Sequence, residues 1–232
     1  SIEDYGWRKD DEGLPLIEDC QSIDFGTYYQ TVEALTVQRA LFYNHLGIKD
    51  KLISFWSQVN DSLHKNPYII GIDPLNEPAL SSRDFASALW NLWPGNYDRG
   101  LLGPLYEDIF GVAKDTGIMM FEPPTAPDWY AYAYNGWQAV EHVFPVGWST
   151  PPGGDVGSKH HALNGHTYCC QLNSDVCSAT GEPAEQFADA CDGWHQQRIG
   201  QRKADADRMG IPYFLGEFGA CMDTDDCLRE IT

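Results

Sequence analysis

The chain has 232 residues, 43% of them hydrophobic and 13% aromatic, which is enough apolar material for one sizeable core and too much for a disordered segment. Fifteen Lys plus Arg stand against thirty-four Asp plus Glu, a net charge of −19 that argues against nucleic acid or an anionic membrane surface as a partner. No apolar run approaches the about 18 residues that would span a bilayer.

The opening SIEDYGWRKDDEG is acidic and polar and does not read as a signal peptide. It lacks an initiator Met, so the expectation is that a leader was removed or that the chain begins inside a longer protein. Residues 27–45 carry the pattern of a helix. Residues 49–65 carry a stronger one, with Leu52, Phe55, Trp56, Val59 and Leu63 on one face. Asn66-Pro67 stops it, and YIIGIDPL follows as a continuous apolar run, the mark of a buried parallel strand. Residues 101–116 read as a helix ended by Gly117, and IMMF (118–121) as a strand. A Pro-, Trp- and Tyr-rich loop fills 122–159. HALNGHTY (161–168) reads as a strand, 183–209 as a long helix ended by Gly210, and IPYFLGEFG (211–219) as a last strand. Alternating helices and apolar strands give an α/β class with a parallel sheet, and four such units alone suit a barrel or a doubly wound sheet equally.

Seven cysteines, at 20, 169, 170, 177, 191, 221 and 227, lack the Cys-x-x-Cys spacing of zinc or thioredoxin sites. Disulfides in an oxidising compartment are the better reading, and Asn60-Asp61-Ser62 is a glycosylation sequon compatible with it. Both point to a secreted, cell-surface or lysosomal/vacuolar location. The seven histidines fit no familiar metal-ligand spacing, so neither a metal nor an organic cofactor is expected.

In parallel α/β folds chemistry lies beyond the C-terminal ends of the strands. Four strands here end in polar residues: Asn76-Glu77, Glu122, His166-x-Tyr168 and Glu217. Cleaving a glycosidic bond takes two carboxyl groups flanking the anomeric carbon, one to protonate the leaving oxygen and one to attack or to activate water. Glu77 and Glu217, at the ends of separate strands, can converge in this way, and Gly216 and Gly219 permit close backbone approach around Glu217. Taken singly, Asn-Glu-Pro reads as a turn and Gly-Glu-Phe-Gly as a strand end; only their combination and order suggest a site.

GIDPLNEPAL resembles the acid/base segment of glycoside hydrolase family 5, and IPYFLGEFGA its nucleophile segment. LNGHTYCC resembles its His-x-Tyr strand, and the match extends over roughly 49–221. Within that family the Glu122-Pro123 pair and the Cys after His-x-Tyr look most like endoglycoceramidase-like enzymes. The resemblance implies part of a (β/α)8 TIM barrel, strands four to seven, within a single partial domain spanning 1–232 whose residues 1–48 form a variable entrance. It implies a retaining β-glycosidase with Glu77 as general acid/base and Glu217 as nucleophile. Asn76 would bind the sugar 2-hydroxyl, His166 and Tyr168 would orient the two carboxylates, Glu122 would touch the sugar or only anchor a loop, and Trp129 and Tyr130 would form an aromatic wall at the substrate or simply pack. The implied substrate is a glycan or glycolipid, with glycosphingolipids first. A β-glucan or mannan endo-glycanase is the alternative, as is a non-catalytic structural or carbohydrate-binding relative. A whole barrel of this kind takes about 250 residues, so the rest of the barrel is expected from a longer polypeptide, and this chain alone is expected to be unstable or inactive.

Overall fold

The computed structural model describes residues 8–14, 16–20, 32–79, 90–91, 93–124, 143–168 and 188–219. Among the described residues, four strands form one wholly parallel sheet in chain order: β1 (Gly71–Ile72), β2 (Ile118–Phe121), β3 (His161–Tyr168) and β4 (Tyr213–Gly219). The helices are α1 (Val32–Phe42), α2 (Ile48–Leu63), α3 (Gly103–Ala113) and α4 (Ala188–Met209), with a single helical turn at Ile17–Cys20.

The predicted strand YIIGIDPL is a strand only at Gly71–Ile72. Pro74 has no N–H to give a neighbouring strand, and Asp73 Oδ1 accepts from Leu75 N at 3.2 Å, turning the chain out of the sheet towards Glu77. Gly71 must be glycine, since a Cβ there would lie 2.0 Å from the Ile118 carbonyl oxygen. The helix predicted over 101–116 starts earlier and is less uniform. A wide π-turn at Asp98–Leu102 leads into α3, and a tight 3-10 turn at Lys114–Thr116 ends at Gly117, whose φ is 127°.

The apolar stripe of α2 also differs from the sequence reading. Ile48, Leu52, Ile53 and Trp56 pack on the core, whereas Phe55 is 54% exposed and stands edge-on to Trp56, their ring centroids 5.2 Å apart. Three or four residues separate partners on one helical face, and Phe55 falls one position off the stripe that faces α3. Asn60 of the sequon lies within this helix, where its Oδ1 accepts from Thr116 Oγ1 at 2.9 Å.

The core is built from Tyr97, Leu102, Leu105, Tyr106, Ile109, Met119, Phe121 and Leu163, closed by Trp148 and Met209. β3, flanked on both sides, is buried along all but its last residue, whereas β4, at the sheet edge, alternates and leaves Phe214 and Phe218 on its outward face about half exposed. A parallel sheet normally has both faces covered, and helix α4 packs on both β3 and β4, somewhat more on β3. The polar face of α4 is used internally. Arg202 pairs with fully buried Asp205 at 3.0 Å and donates to the Phe144 carbonyl, while Asp205 accepts from Val146 N and Arg208 donates to the carbonyls of Val146 and Trp148. Buried charge is tolerated only when paired and hydrogen-bonded, so this network fixes the 143–148 segment against α4.

Candidate active site

The parallel ladder sets the site. His166 lies opposite Glu217 across the β3–β4 register, directly after an irregularity between Gly165 and His166. Side chains two apart on a strand share a face, so His166 and Tyr168 point to the same side. The Tyr168 hydroxyl donates to Glu217 Oε2 at 2.5 Å. His166 is 4% exposed, and its Nδ1 lies 3.0 Å from Glu77 Oε1 and 3.4 Å from Glu217 Oε2. Its Nε2 lies 3.3 Å from Glu122 Oε1. The ring therefore touches three carboxyl groups from three different strand ends. Gly216 permits this approach, since a Cβ there would meet Asn164 Oδ1 at 2.4 Å.

Glu77 sits at the turn that leaves β1 with φ of 41°, a conformation uncommon for a residue with a side chain. Such backbone strain costs on the order of 1–3 kcal/mol and persists only where its surroundings enforce it. Here the Glu77 N–H donates to Glu122 Oε2 at 2.9 Å. Asn76, beside it, is exposed to solvent.

Glu122 is 2% exposed. Burial first, then the neighbouring Asp73 carboxyl to which it is hydrogen-bonded, push its pKa up to about 10, so it is a neutral acid at ordinary pH. Asn164 Nδ2 bridges the pair, donating to Asp73 Oδ2 at 3.0 Å and Glu122 Oε1 at 3.2 Å. The Tyr106 hydroxyl donates to the Glu122 main-chain carbonyl at 2.9 Å, and burial holds that phenol well above its usual pKa. Arg198 Nε donates to the His166 carbonyl at 2.5 Å.

The structure thus brings Glu77, His166, Tyr168, Glu217 and Glu122 together, with Asn76 at the lip. Trp129 and Tyr130 lie outside the described residues. Sequence reasoning missed Asp73, Asn164, Tyr106 and Arg198. For Asp73 and Asn164 there was a signal, a polar residue inside an otherwise apolar strand segment; Arg198 sits in a polar helix where nothing singles it out.

One ligand atom each from Glu77, His166 and Glu217 lie within 4.8 Å of one another, and among the described residues this is the cluster compact enough to hold a metal ion. The same closeness puts a carboxyl oxygen of Glu77 within reach of one of Glu217 across a single reacting carbon.

Comparison with solved structures defines the architecture. The Rhodococcus sp. endo-glycoceramidase II in a five-membered iminocyclitol complex superposes with a TM-score of 0.57 at 19% identity, over 84% of this chain and 40% of that one. The ganglioside GM3 complex of the same enzyme gives 0.56 at 16% identity, over 83% and 38%. The fold is α/β, a set of four consecutive parallel strands from a TIM barrel. The sequence profile of cellulase, glycosyl hydrolase family 5, matches residues 23–231, and the chain belongs to that family. An endoglycoceramidase of Hydra vulgaris is 27% identical over 159 residues, 67% of this chain and 28% of that protein. The chain therefore spans under a third of this curated relative and about 40% of those solved structures.

Proposed function

We propose that the protein to which this chain belongs is a retaining β-glycosidase acting by double displacement, with Glu217 as nucleophile and Glu77 as general acid/base. The observation that carries this reading is the approach of the two carboxyl groups, with oxygens within 4.8 Å. Retaining glycosidases hold their carboxyl groups about 5–5.5 Å apart, whereas inverting ones leave about 6.5–9.5 Å for a water. Glu217 Oε2 attacks the anomeric carbon as Glu77 gives its proton to the departing glycosidic oxygen. The covalent glycosyl-enzyme is then opened by water, whose proton returns to Glu77. Tyr168 and His166 hold Glu217 at the angle of attack, and Asn76, exposed beside Glu77, bonds the sugar 2-hydroxyl.

For substrate we propose glycosphingolipids, cut between glycan and lipid. The Hydra endoglycoceramidase supports this, as does the ganglioside GM3 held by the Rhodococcus enzyme. An extracellular or lysosomal/vacuolar compartment is proposed with it, supported by the cysteine content. The test is incubation of the complete polypeptide with a glycosylceramide, following the first-formed anomer by proton NMR. Release of intact glycan as the β-anomer is expected. The α-anomer would overturn retention. Turnover of β-glucan or mannan alone would move the substrate to polysaccharide, and sugar binding with no turnover of either would make the protein a non-catalytic relative.

A further inference from the structure

We infer that Glu122 is a positioning residue that sets the acid/base group, holding the Glu77 backbone and the His166 ring at once from a rigid buried anchor formed with Asp73 and Asn164. This rests on the reading of Glu77 as acid/base. A substrate-contacting role for Glu122 would need an accessible carboxyl group. Instead its side chain is enclosed, 3% exposed, and both oxygens are committed to protein groups: Oε2 to Glu77 N at 2.9 Å, Oε1 to Asn164 Nδ2 at 3.2 Å and towards His166 Nε2 at 3.3 Å.

The two contacts act on the same catalytic group by different routes. The first enforces the left-handed φ of 41° at Glu77, the only described residue other than glycine with positive φ outside the α1–α2 connection. A carboxyl group on that N–H offsets the strain, and without it Glu77 is free to relax to an ordinary conformation that carries its side chain elsewhere. The second fixes the far side of the imidazole whose Nδ1 faces Glu77 Oε1 at 3.0 Å. The anchor is itself fixed. Asn164 ties Glu122 to Asp73, Tyr106 ties down its carbonyl, and the Asn164 Oδ1 left without a hydrogen-bond partner is packed against Gly216, next to Glu217. The neutral state of Glu122 fits this role. A charged carboxylate here would be repelled by the neighbouring Asp73 carboxyl, whereas a neutral acid accepts from Glu77 N and donates its own O–H as a hydrogen bond to Asp73.

The inference separates acid/base placement from nucleophile placement, and leaving-group chemistry reads that difference. Departure of 2,4-dinitrophenolate needs no proton, so kcat/KM for such an aryl glycoside is insensitive to a misplaced acid, while a glycoside of a poor leaving group depends on it. In the complete polypeptide, Glu122→Ala and Glu122→Asp are expected to lower kcat/KM for the poor leaving group by about 10²-fold, the scale of a misplacement near 1 Å. For the dinitrophenyl glycoside the loss should stay within about threefold. Glu122→Gln, which keeps the reach and the neutral charge, should restore most of the lost activity. Glu122→Asp keeps the acid but cannot reach Glu77 N. Activity retained in Glu122→Asp and lost in Glu122→Gln would mean that the proton rather than the position matters, and would overturn the inference. Equal losses on both substrates, no loss, or failure of the Asp and Gln variants to melt cooperatively would overturn it too, the last by assigning Glu122 to stability alone. If the unsubstituted polypeptide turns over neither glycoside, it is the glycosidase reading that fails.

Discussion

Strand β3 carries two buried histidines five residues apart, and their surroundings divide the molecule into a structural end and a chemical end. His161, 1% exposed at the N-terminal end, has its Nε2 3.0 Å from the Pro152 carbonyl and its Nδ1 2.7 Å from Ser158 Oγ. A carbonyl can only accept, so Nε2 bears the hydrogen and Nδ1 accepts from the serine, which makes a satisfied neutral ring. Phe110 and Phe121 pack against it, and burial lowers its pKa to about 4. His166, at the C-terminal end, faces Glu77, Glu122 and Glu217 instead. The residue type, strand and depth are the same. Only the partners differ, and in parallel α/β folds the C-terminal end of the strands is where loops converge on a ligand.

Alanine substitution at each histidine in turn separates the two roles. His166→Ala is expected to lower kcat by about 10³-fold, within the range for disturbed proton transfer, on top of the stability lost by emptying a buried site. His161→Ala should leave kcat near its normal value while costing on the order of 2–4 kcal/mol of stability, through lost packing and an unpaired buried carbonyl. Steady-state kinetics and thermal melts on both variants check this; similar kinetic losses would contradict it.

The pH dependence of stability sharpens the contrast further. His161 has a folded pKa of about 4 against an ordinary value of 6.5, so between those values the unfolded chain binds more protons than the folded one. Stability from this group is therefore fully present above pH 6.5 and declines as pH falls towards 4, by up to about 3 kcal/mol in all. Urea unfolding at a series of pH values should show that slope, and His161→Phe should remove this part of it. A smaller effect is expected at the active end. Tyr168→Phe deletes the donor to Glu217 Oε2, and a hydrogen bond to a charged group contributes about 1.5–3 kcal/mol, so kcat should fall by about 10 to 10²-fold with KM nearly unchanged.

The chemical end was largely legible in the sequence because strand ends in this topology are read from polarity. Glu77, His166, Tyr168 and Glu217 are polar residues at or just beyond the ends of apolar strands; the ladder sets His166 beside Glu217, and the turn after β1 carries Glu77 to them. The strand His161–Tyr168 and the strand Ile118–Phe121 were bounded correctly, being short apolar runs between a turn and a polar end. What escaped was three-dimensional. Strand β1 shrank to two residues because Pro74 ends pairing, and the face of α2 shifted because its neighbour, not its own periodicity, decides which of Phe55 and Trp56 is covered. The role of Asp73 and Asn164 depends on contacts across 91 positions of sequence, between strands that local pattern cannot relate.

The most direct measurement is covalent trapping. The complete polypeptide would be incubated with a 2-deoxy-2-fluoro glycoside bearing a good leaving group, digested, and mapped by mass spectrometry. One sugar per active chain is expected, carried on Glu217 in the peptide containing Tyr213–Gly219. A label on Glu77 or on any other carboxylate, or turnover with no covalent sugar at all, would contradict the assignment of Glu217 as nucleophile.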